Sequence, residues 1–246
     1  MRIHAVPGLP EVHPGDPLPE MIARAVADEG GAPGDVVVVA QKIVSKAEGR
    51  LVRIADVRPG PSAELLAEET GRDPRMCELI LSESRRIVRR RNSTLICETR
   101  HGFICANAGI DASNVRYGHV VLLPVDPDRS ARHLQSAISA RVGGRVGVVI
   151  TDTHGRAFRR GIINVAIGVA GFRAVVDHRG GSDREGRTLV ATEQALADEL
   201  AAAGGIMMDK GGGFPVVIVS GVVTDPAPGG ADALVRPAEY DLFRGQ

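Results

Sequence analysis

The chain has 246 residues, and its 30 Lys and Arg residues balance 30 Asp and Glu residues, so the formal net charge is zero. Without a basic surplus the protein is a poor candidate for binding nucleic acid or an anionic membrane, and aromatic residues, at 3% of the sequence, are too few for base-stacking surfaces. The three cysteines form no Cys-x-x-Cys pair, and neither a signal peptide nor a membrane-spanning apolar run is recognisable, which favours a cytoplasmic protein with reduced thiols.

Short apolar runs and amphipathic segments predict a protein of mixed secondary structure. In chain order we expect a strand at residues 2–6, a helix at 17–28, strands at 35–40 and 51–54, one or two helices over 61–91, strands at 94–97, 103–106 and 119–123, a helix at 128–141, strands at 145–151, 165–169 and 174–176, a helix at 192–203 and a strand at 215–219. Because strands and helices do not alternate strictly, the α+β class is favoured over a doubly wound parallel sheet. A short amphipathic piece near Leu242 and Phe243 closes the sequence.

Capping and breaking residues set the expected ends of the helices. Asp16 followed by Pro17 predicts the start of the first helix. Thr192 predicts the start of the last helix, and the pair Gly204-Gly205 predicts its end. The helical segment 61–91 is expected to end in a basic cluster, which consists of Arg85, Arg86, Arg89, Arg90 and Arg91.

No standard nucleotide or hydrolase signature occurs, since the sequence lacks a Walker loop, a G-x-G-x-x-G after a strand, a G-x-S-x-G elbow and an H-E-x-x-H helix. Four polar clusters follow predicted strands instead, at residues 8–12, 41–46, 107–114 and 150–156. Each could be an ordinary loop, helical turn or cap.

Taken together, the four clusters also suit a ligand. Asp111 and Asp152 offer carboxylates for Mg²⁺ or Mn²⁺. The cations beside them suit phosphate oxygens, and they are Lys42, Lys46, Arg156, Arg159 and Arg160. From the residues alone we expect a metal- and phosphate-binding α+β enzyme.

The same clusters resemble the coenzyme F-420-0:γ-glutamyl ligase family. The similar stretches run in order along nearly the whole chain, as GLPEV, PGD, VVVVAQKIVSKAEGRLV, ETRHGFICANAGIDASNV, VVITDTHGRAFRRG, VAIGVAG, ATEQALADELAAA, PVVIVSG and DLFR. The most specific of them are ANAGIDASNV and TDTxGR. The resemblance is to the form of the family without a fused nitroreductase-like domain.

The resemblance implies an activity and a set of small-molecule substrates. GTP would phosphorylate the terminal carboxylate of the deazaflavin precursor, coenzyme F-420-0, and the α-amine of L-glutamate would attack the acyl phosphate, with GDP and phosphate released. Two divalent cations (Mg²⁺ or Mn²⁺), a stimulatory K⁺ and a homodimer are also implied. The implied fold is neither P-loop nor ATP-grasp and has two interlocked subdomains, tentatively 1–85 with 205–246, and 86–204.

Residues carried over by motif from the resemblance form a GTP site and a metal site. The GTP site would contain Leu9, Pro10, Glu11, Val12, Gln41, Lys46, Asn114, Met207, Met208, Asp209, Lys210, Gly211, Gly212, Gly213 and Phe214. Asp111 and Asp152 would hold the first metal, and Thr153 would contact the second. Asp209 stands where the family usually has a Gln or Glu metal ligand.

Departures from the family pattern keep alternatives open. The residues at 162–164 are Ile-Ile-Asn where the family usually has Gln-Thr-Asp, and Ser220 replaces the usual arginine after the last strand. A sister GTP-dependent amide ligase with a different acceptor is therefore one alternative. The other is a nucleotide-binding protein without turnover, against which the retention of Lys46, Asp111 and Asp152 argues.

Overall fold

Twelve strands and six helices make up the computed structural model, which describes residues 1–208 and 213–241. In chain order these are β1 (Arg2–Ala5), α1 (Leu18–Asp28), β2 (Val36–Ala40), α2 (Gln41–Ala47), β3 (Leu51–Arg53), α3 (Pro61–Thr70), α4 (Pro74–Glu83), β4 (Ser84–Arg91), β5 (Thr94–Thr99), β6 (Ile104–Ala106), β7 (His119–Val121), α5 (Pro127–Val142), β8 (Gly147–Gly155), β9 (Ile162–Ala170), β10 (Val176–Asp177), β11 (Glu193–Gln194), α6 (Leu196–Met207) and β12 (Val216–Ser220). The expected α+β class is confirmed. None of the described helices has both the length and the apolar character needed to cross a membrane.

The central sheet contains five strands in the order β1-β12-β2-β8-β9. Only β2 and β8 are parallel, and the other described neighbours in this sheet are antiparallel. Val37 and Val39 pack in one core with α1 and α5, while Val36 and Val38 pack in another with α6. An uninterrupted run of valines fits this position, because helices cover both faces of the strand and successive side chains alternate between them.

Residues 51–121 form a second region, inserted between α2 and α5. Here β4, β5 and β6 form an antiparallel sheet, β3 pairs with β7, and α3 and α4 pack alongside. Ile80, Leu95 and Cys97 are completely buried in its core. All three cysteines are buried with free thiols. The tentative division into 1–85 with 205–246, and 86–204, stays a prediction; the central sheet takes strands from both ranges.

The arginine-rich end of the segment 61–91 is a strand, so the prediction of helix there was wrong. β4 pairs with β5 from Ser84 opposite Thr99 to Arg91 opposite Thr94. Two register shifts interrupt the ladder and let neighbouring arginines face solvent. The hairpin partner thus decides the conformation of a sequence that also suits a charged helix face.

The observed starts of α1 and α6 also differ from the expected ones. α1 begins at Leu18, and the Asp16 carboxylate instead accepts a hydrogen bond from the His13 N–H at 2.7 Å; Pro17 and Pro19 lack N–H groups that a cap would bind. α6 begins at Leu196, after the short pairing of β10 with β11, and not at Thr192.

The Gly204-Gly205 pair lies inside α6, which continues to Met207. A Cβ at Gly204 would lie 2.8 Å from Val38, and one at Gly205 would lie 2.7 Å from Asn164. These glycines therefore permit close packing of the helix on the sheet rather than ending the helix. The piece expected near Leu242 and Phe243 lies outside the described residues.

Candidate functional site

A cleft of about 990 Å³ opens at the edge of the sheet where β2 and β8 end. Of the predicted site residues, it is lined by Leu9, Pro10, Glu11, Val12, Gln41, Lys46, Asp111, Asn114, Asp152, Thr153, Met208, Gly213 and Phe214. Met207 is not among the residues that line it. Asp209, Lys210, Gly211 and Gly212 lie outside the described residues. Segments far apart in sequence thus meet at one place.

The parallel pairing of β2 with β8 explains this convergence. Ala40, the last residue of β2, lies opposite Thr151 in the last pair of this parallel ladder, and the carboxyl end of parallel strands is the usual edge for ligands. The strand β8 then continues further than expected, to Gly155, with Asp152 opposite Val165 and Thr153 opposite Asn164. The prediction that Asp152 lies in a loop or caps a helix was therefore wrong, and its backbone is held by a neighbouring strand.

α2 presents polar groups to the cleft immediately after β2. Gln41 is 2% exposed and its Oε1 accepts a hydrogen bond from the buried hydroxyl of Ser45 at 2.8 Å. The other amide atom, Nε2, is buried without a hydrogen-bond partner in the described part of the chain. One lone pair of Oε1 is used by Ser45, and both N–H donors of Nε2 lack a partner among the described residues, so Gln41 is available to a ligand chiefly as a donor.

Two lysines of α2, Lys42 and Lys46, also line the cleft. Lys46 Nζ lies 2.5 Å from Glu11 Oε1, and Lys42 Nζ lies 2.8 Å from Asp111 Oδ2. The resemblance carried over Lys46 but not Lys42 as a site residue. From the residues alone, however, Lys42 was expected beside Lys46 as a cation for phosphate oxygens, and the spacing of four residues places both on one helix face.

Asp111 is held by a local turn as well as by Lys42. Its Oδ1 accepts a hydrogen bond from the Ser113 N–H at 2.6 Å, and Oδ2 accepts one from the Ser113 hydroxyl at 3.0 Å. Burial raises the pKa of Asp111, but the hydrogen bonds from Lys42 and Ser113 outweigh it, so the pKa lies below its ordinary value. The carboxylate is therefore ionised at neutral pH and lines the cleft while forming the turn that was the alternative interpretation of this cluster.

Asp152 is 8% exposed and lies beside two further titratable groups. His154 Nε2 is 3.2 Å from Asp152 Oδ2. Burial, together with the nearby charge of Asp152, raises the pKa of Cys105 to about 12, so this thiol stays protonated and is a poor nucleophile. Thr153 donates a hydrogen bond to Asn164 Oδ1 at 3.2 Å, which joins the two strands at the cleft.

A bulge in β9 sets the orientation of this part of β8. Ile150 lies opposite Gly168 but Thr151 lies opposite Ala166, so Ile167 is an extra residue. Next to it, the N–H of Ala166 donates to Asp198 Oδ1 of α6 at 2.9 Å. Bulges of this kind bend a strand and re-aim its side chains, and nothing in the sequence analysis indicated this one.

The oxygen donors Asp111, Asp152 and Thr153 are of the kind that Mg²⁺ and Mn²⁺ prefer, usually as one or two carboxylates completed by phosphate oxygens and water. The donor chemistry of the cleft therefore fits a divalent cation. No group of three or more His, Cys, Asp and Glu side chains that could hold a metal was found within residues 1–208 and 213–241. The arginines at 156, 159 and 160, which we expected to face anionic oxygens, do not line the cleft.

Comparisons with known proteins identify the family of the chain. The family model described as F420-0:Gamma-glutamyl ligase matches residues 8–221. A protein of Methanothermobacter thermautotrophicus named Coenzyme F420:L-glutamate ligase is 44% identical over 98% of this chain and 97% of its own length. Relatives with the same name are 45% identical in Methanopyrus kandleri, over 99% of this chain and 98% of the relative, and 41% identical in Methanocaldococcus jannaschii, over 92% and 90%. The chain therefore belongs to the F420-0:γ-glutamyl ligase family and is a ligase that forms amide bonds.

Proposed function

We propose that this chain joins L-glutamate to the deazaflavin precursor coenzyme F-420-0 in a GTP-dependent reaction that passes through an acyl phosphate. The observation that carries the proposal is the convergence of the carried-over residues. Of those that the structure describes, all except Met207 line one cleft. The names of the relatives support glutamate as the amine and the F420 precursor as its partner. The stimulatory K⁺ and the homodimer stay predictions of the resemblance.

The side chains of the cleft have the chemistry that a nucleoside triphosphate needs. Lys46 is 13% exposed, so its charge acts in a partly desolvated place where it offsets phosphate charge more effectively than in water. Gln41 offers N–H donors to an acceptor on the nucleotide.

In the reaction, a carboxylate oxygen of the precursor attacks the γ-phosphorus and GDP leaves. The glutamate amine then attacks the acyl carbon, loses a proton and expels phosphate. Catalysis of such transfers rests on positioning and on stabilising phosphate charge.

In the proposed site Asp111 and Asp152 would hold one divalent cation, and Thr153 would contact a second. When bound, such a cation would offset negative charge on the phosphate oxygens. Asp111 contributes an ionised carboxylate, since its pKa lies below the ordinary value. The pairing of β8 with β9 fixes the backbone of Asp152 and Thr153, so their oxygen atoms are positioned before any ligand binds.

A second candidate function is a sister amide ligase with a different acceptor. Ile162 and Ile163 line the cleft and are 57% and 36% exposed, where the family usually has polar residues. Exposed apolar side chains at a site wall favour an apolar contact on the ligand. If the acceptor differs, restoring Gln-Thr-Asp at residues 162–164 should raise glutamyl transfer. A wild type already fully active on the precursor would exclude this candidate.

The experiment that tests the leading proposal is incubation of the protein with the precursor, L-glutamate, GTP and Mn²⁺, read by mass spectrometry. We expect products heavier by whole glutamyl residues, faster with GTP than with ATP. Asp111→Asn, Asp152→Asn and the double variant should each lose most turnover, with the double no worse than either single variant. Asp56→Asn is a matched control, because Asp56 is exposed and does not line the cleft. Equal rates with ATP, or near-wild-type turnover in either single variant, would contradict the proposal.

A further inference from the structure

Lys42 lies in the cleft but belongs to neither the nucleotide nor the metal residues carried over from the resemblance. Its side chain is 22% exposed, and its ammonium group lies 2.8 Å from Asp111 Oδ2 and 2.5 Å from Ser113 Oγ. Ser113 in turn donates its N–H and its hydroxyl to the two oxygens of Asp111. These three residues, called the Lys42 cluster below, join α2 to the loop that follows β6 and span 71 positions of sequence.

Within the Lys42 cluster Asp111 Oδ1 accepts one hydrogen bond, from the Ser113 N–H, while Oδ2 contacts both the Ser113 hydroxyl and the Lys42 ammonium group. Oδ1 therefore keeps one acceptor position. A divalent cation that takes Asp111 as a ligand needs at least one of these two oxygens. The Ser113 contacts do not oppose such a cation, because they carry no net charge. The ammonium group of Lys42 does oppose a divalent cation, because two cations bound to the same carboxylate lie close together and repel each other strongly.

We propose that Lys42 is the resident counter-cation of Asp111, that a divalent cation displaces it, and that the released ammonium group then binds anionic oxygens of the nucleotide. The inference rests on the proposed function, since it takes Asp111 as a metal ligand.

The position of Lys42 on α2 supports the second half of the inference. Lys42 and Lys46 are one helical turn apart and both line the cleft. Lys46 is paired with Glu11, which is not among the proposed metal ligands. A Lys42 released from Asp111 would therefore join Lys46 in presenting positive charge to the same phosphate groups.

Mn²⁺ binding to the full chain without nucleotide tests the inference, with the electron paramagnetic resonance signal of free Mn²⁺ as the readout. Lys42→Met removes the charge and keeps the length of the side chain, and Lys42→Gln also keeps a hydrogen-bond donor for Asp111. We expect both variants to bind Mn²⁺ roughly tenfold more tightly than the wild type, a factor that corresponds to about 1.4 kcal/mol. Lys46→Met is the matched control: it removes a charge from the same cleft but no contact from Asp111, so its gain in Mn²⁺ affinity should be clearly smaller.

Two results would overturn the inference. One is equal or weaker Mn²⁺ affinity in the Lys42 variants, whose folding is checked by thermal melts; if one fails to fold, the other decides. The second is an equal gain in Lys46→Met, which would indicate a general effect of cleft charge. Asp152→Asn, measured with Mn²⁺ and GDP, tests the metal site itself. If it weakens Mn²⁺ binding while the Lys42 variants match the wild type, only the inference about Lys42 fails. If it leaves Mn²⁺ binding unchanged, the metal site of the proposed function fails.

Discussion

Replacing Asp198 with alanine is expected to destabilise the protein by about 1–3 kcal/mol. Beside the extra residue Ile167 in β9, the Ala166 N–H donates to Asp198 Oδ1 at 2.9 Å. Ala166 is 4% exposed, so water cannot readily replace the lost acceptor. The quoted range is the usual cost of leaving a buried donor unsatisfied.

Thermal melts measure this cost. A protein of about this size loses roughly 2–4 °C of melting temperature per kcal/mol, so Asp198→Ala should melt about 2–12 °C below the wild type. Asp198→Asn keeps an acceptor oxygen in the same place and is the matched control. A wild-type melting temperature in Asp198→Ala, or an equal loss in Asp198→Asn, would refute the argument that this hydrogen bond supports the bulge.

The pH dependence of the same pair gives an independent check. Burial raises the pKa of Asp198 above its ordinary value of 3.8, by more than the Ala166 N–H and the nearby His154 lower it. The wild type therefore loses stability as the pH rises through this raised pKa, while Asp198→Asn does not. Asp198→Asn should thus match or exceed the wild type at neutral pH, with its relative advantage shrinking as the pH falls towards 3.8.

Three further variants test other parts of the structure. The pKa of Asp111 is lowered from its ordinary value of 3.8, so the wild type gains stability from this group above pH 3.8 and loses it as the pH falls through the lowered pKa. The stability difference between the wild type and Asp111→Asn should therefore shrink at low pH, opposite in sign to that of Asp198→Asn. Urea melts at several pH values measure this difference. Ser45→Ala removes the hydroxyl that holds Gln41 Oε1 and should cost about 1–2 kcal/mol in a urea melt; an unchanged midpoint would contradict the assignment. Gly168→Ala should cost about 1–3 kcal/mol, because its Cβ would lie 2.5 Å from a backbone carbonyl oxygen at the start of α5; Gly155→Ala, where nothing lies within 4 Å, should be nearly neutral, and equal losses would refute the packing argument.

The parts of the fold that could be predicted from sequence are those whose burial is indicated by the local residue pattern. The valines of β2 form an apolar run of strand length, and their burial on both sides follows from it. The site clusters could be placed together for a related reason. Two of them, at residues 41–46 and 150–156, lie at β2 and β8, which bring them together because the two strands run parallel.

The parts that could not be predicted depend on contacts between distant residues. The arginines of β4 suit a helix surface as well as a strand, and only their pairing with β5 decides between the two. Likewise, Gly204 looks like a helix end until Val38 is found against it. The bulge at Ile167 is not indicated by the local sequence, and the hydrogen bond next to it is accepted by Asp198 on another element.

The two lysine–carboxylate ion pairs of the cleft affect which ligands can bind there. Lys46 is held by Glu11 and Lys42 by Asp111, so each described lysine of α2 is already neutralised by a carboxylate. A phosphate group that took Lys42 without a metal would leave Asp111 half-buried and unpaired, and a metal that took Asp111 without an anion would leave Lys42 unpaired. Losing one partner of such a pair is costly. A nucleotide that arrives with its divalent cation carries both charges, replaces both partners together and leaves neither group of the Lys42 cluster unpaired. The proposed metal and nucleotide sites therefore predict binding of a metal–nucleotide complex in preference to either component alone.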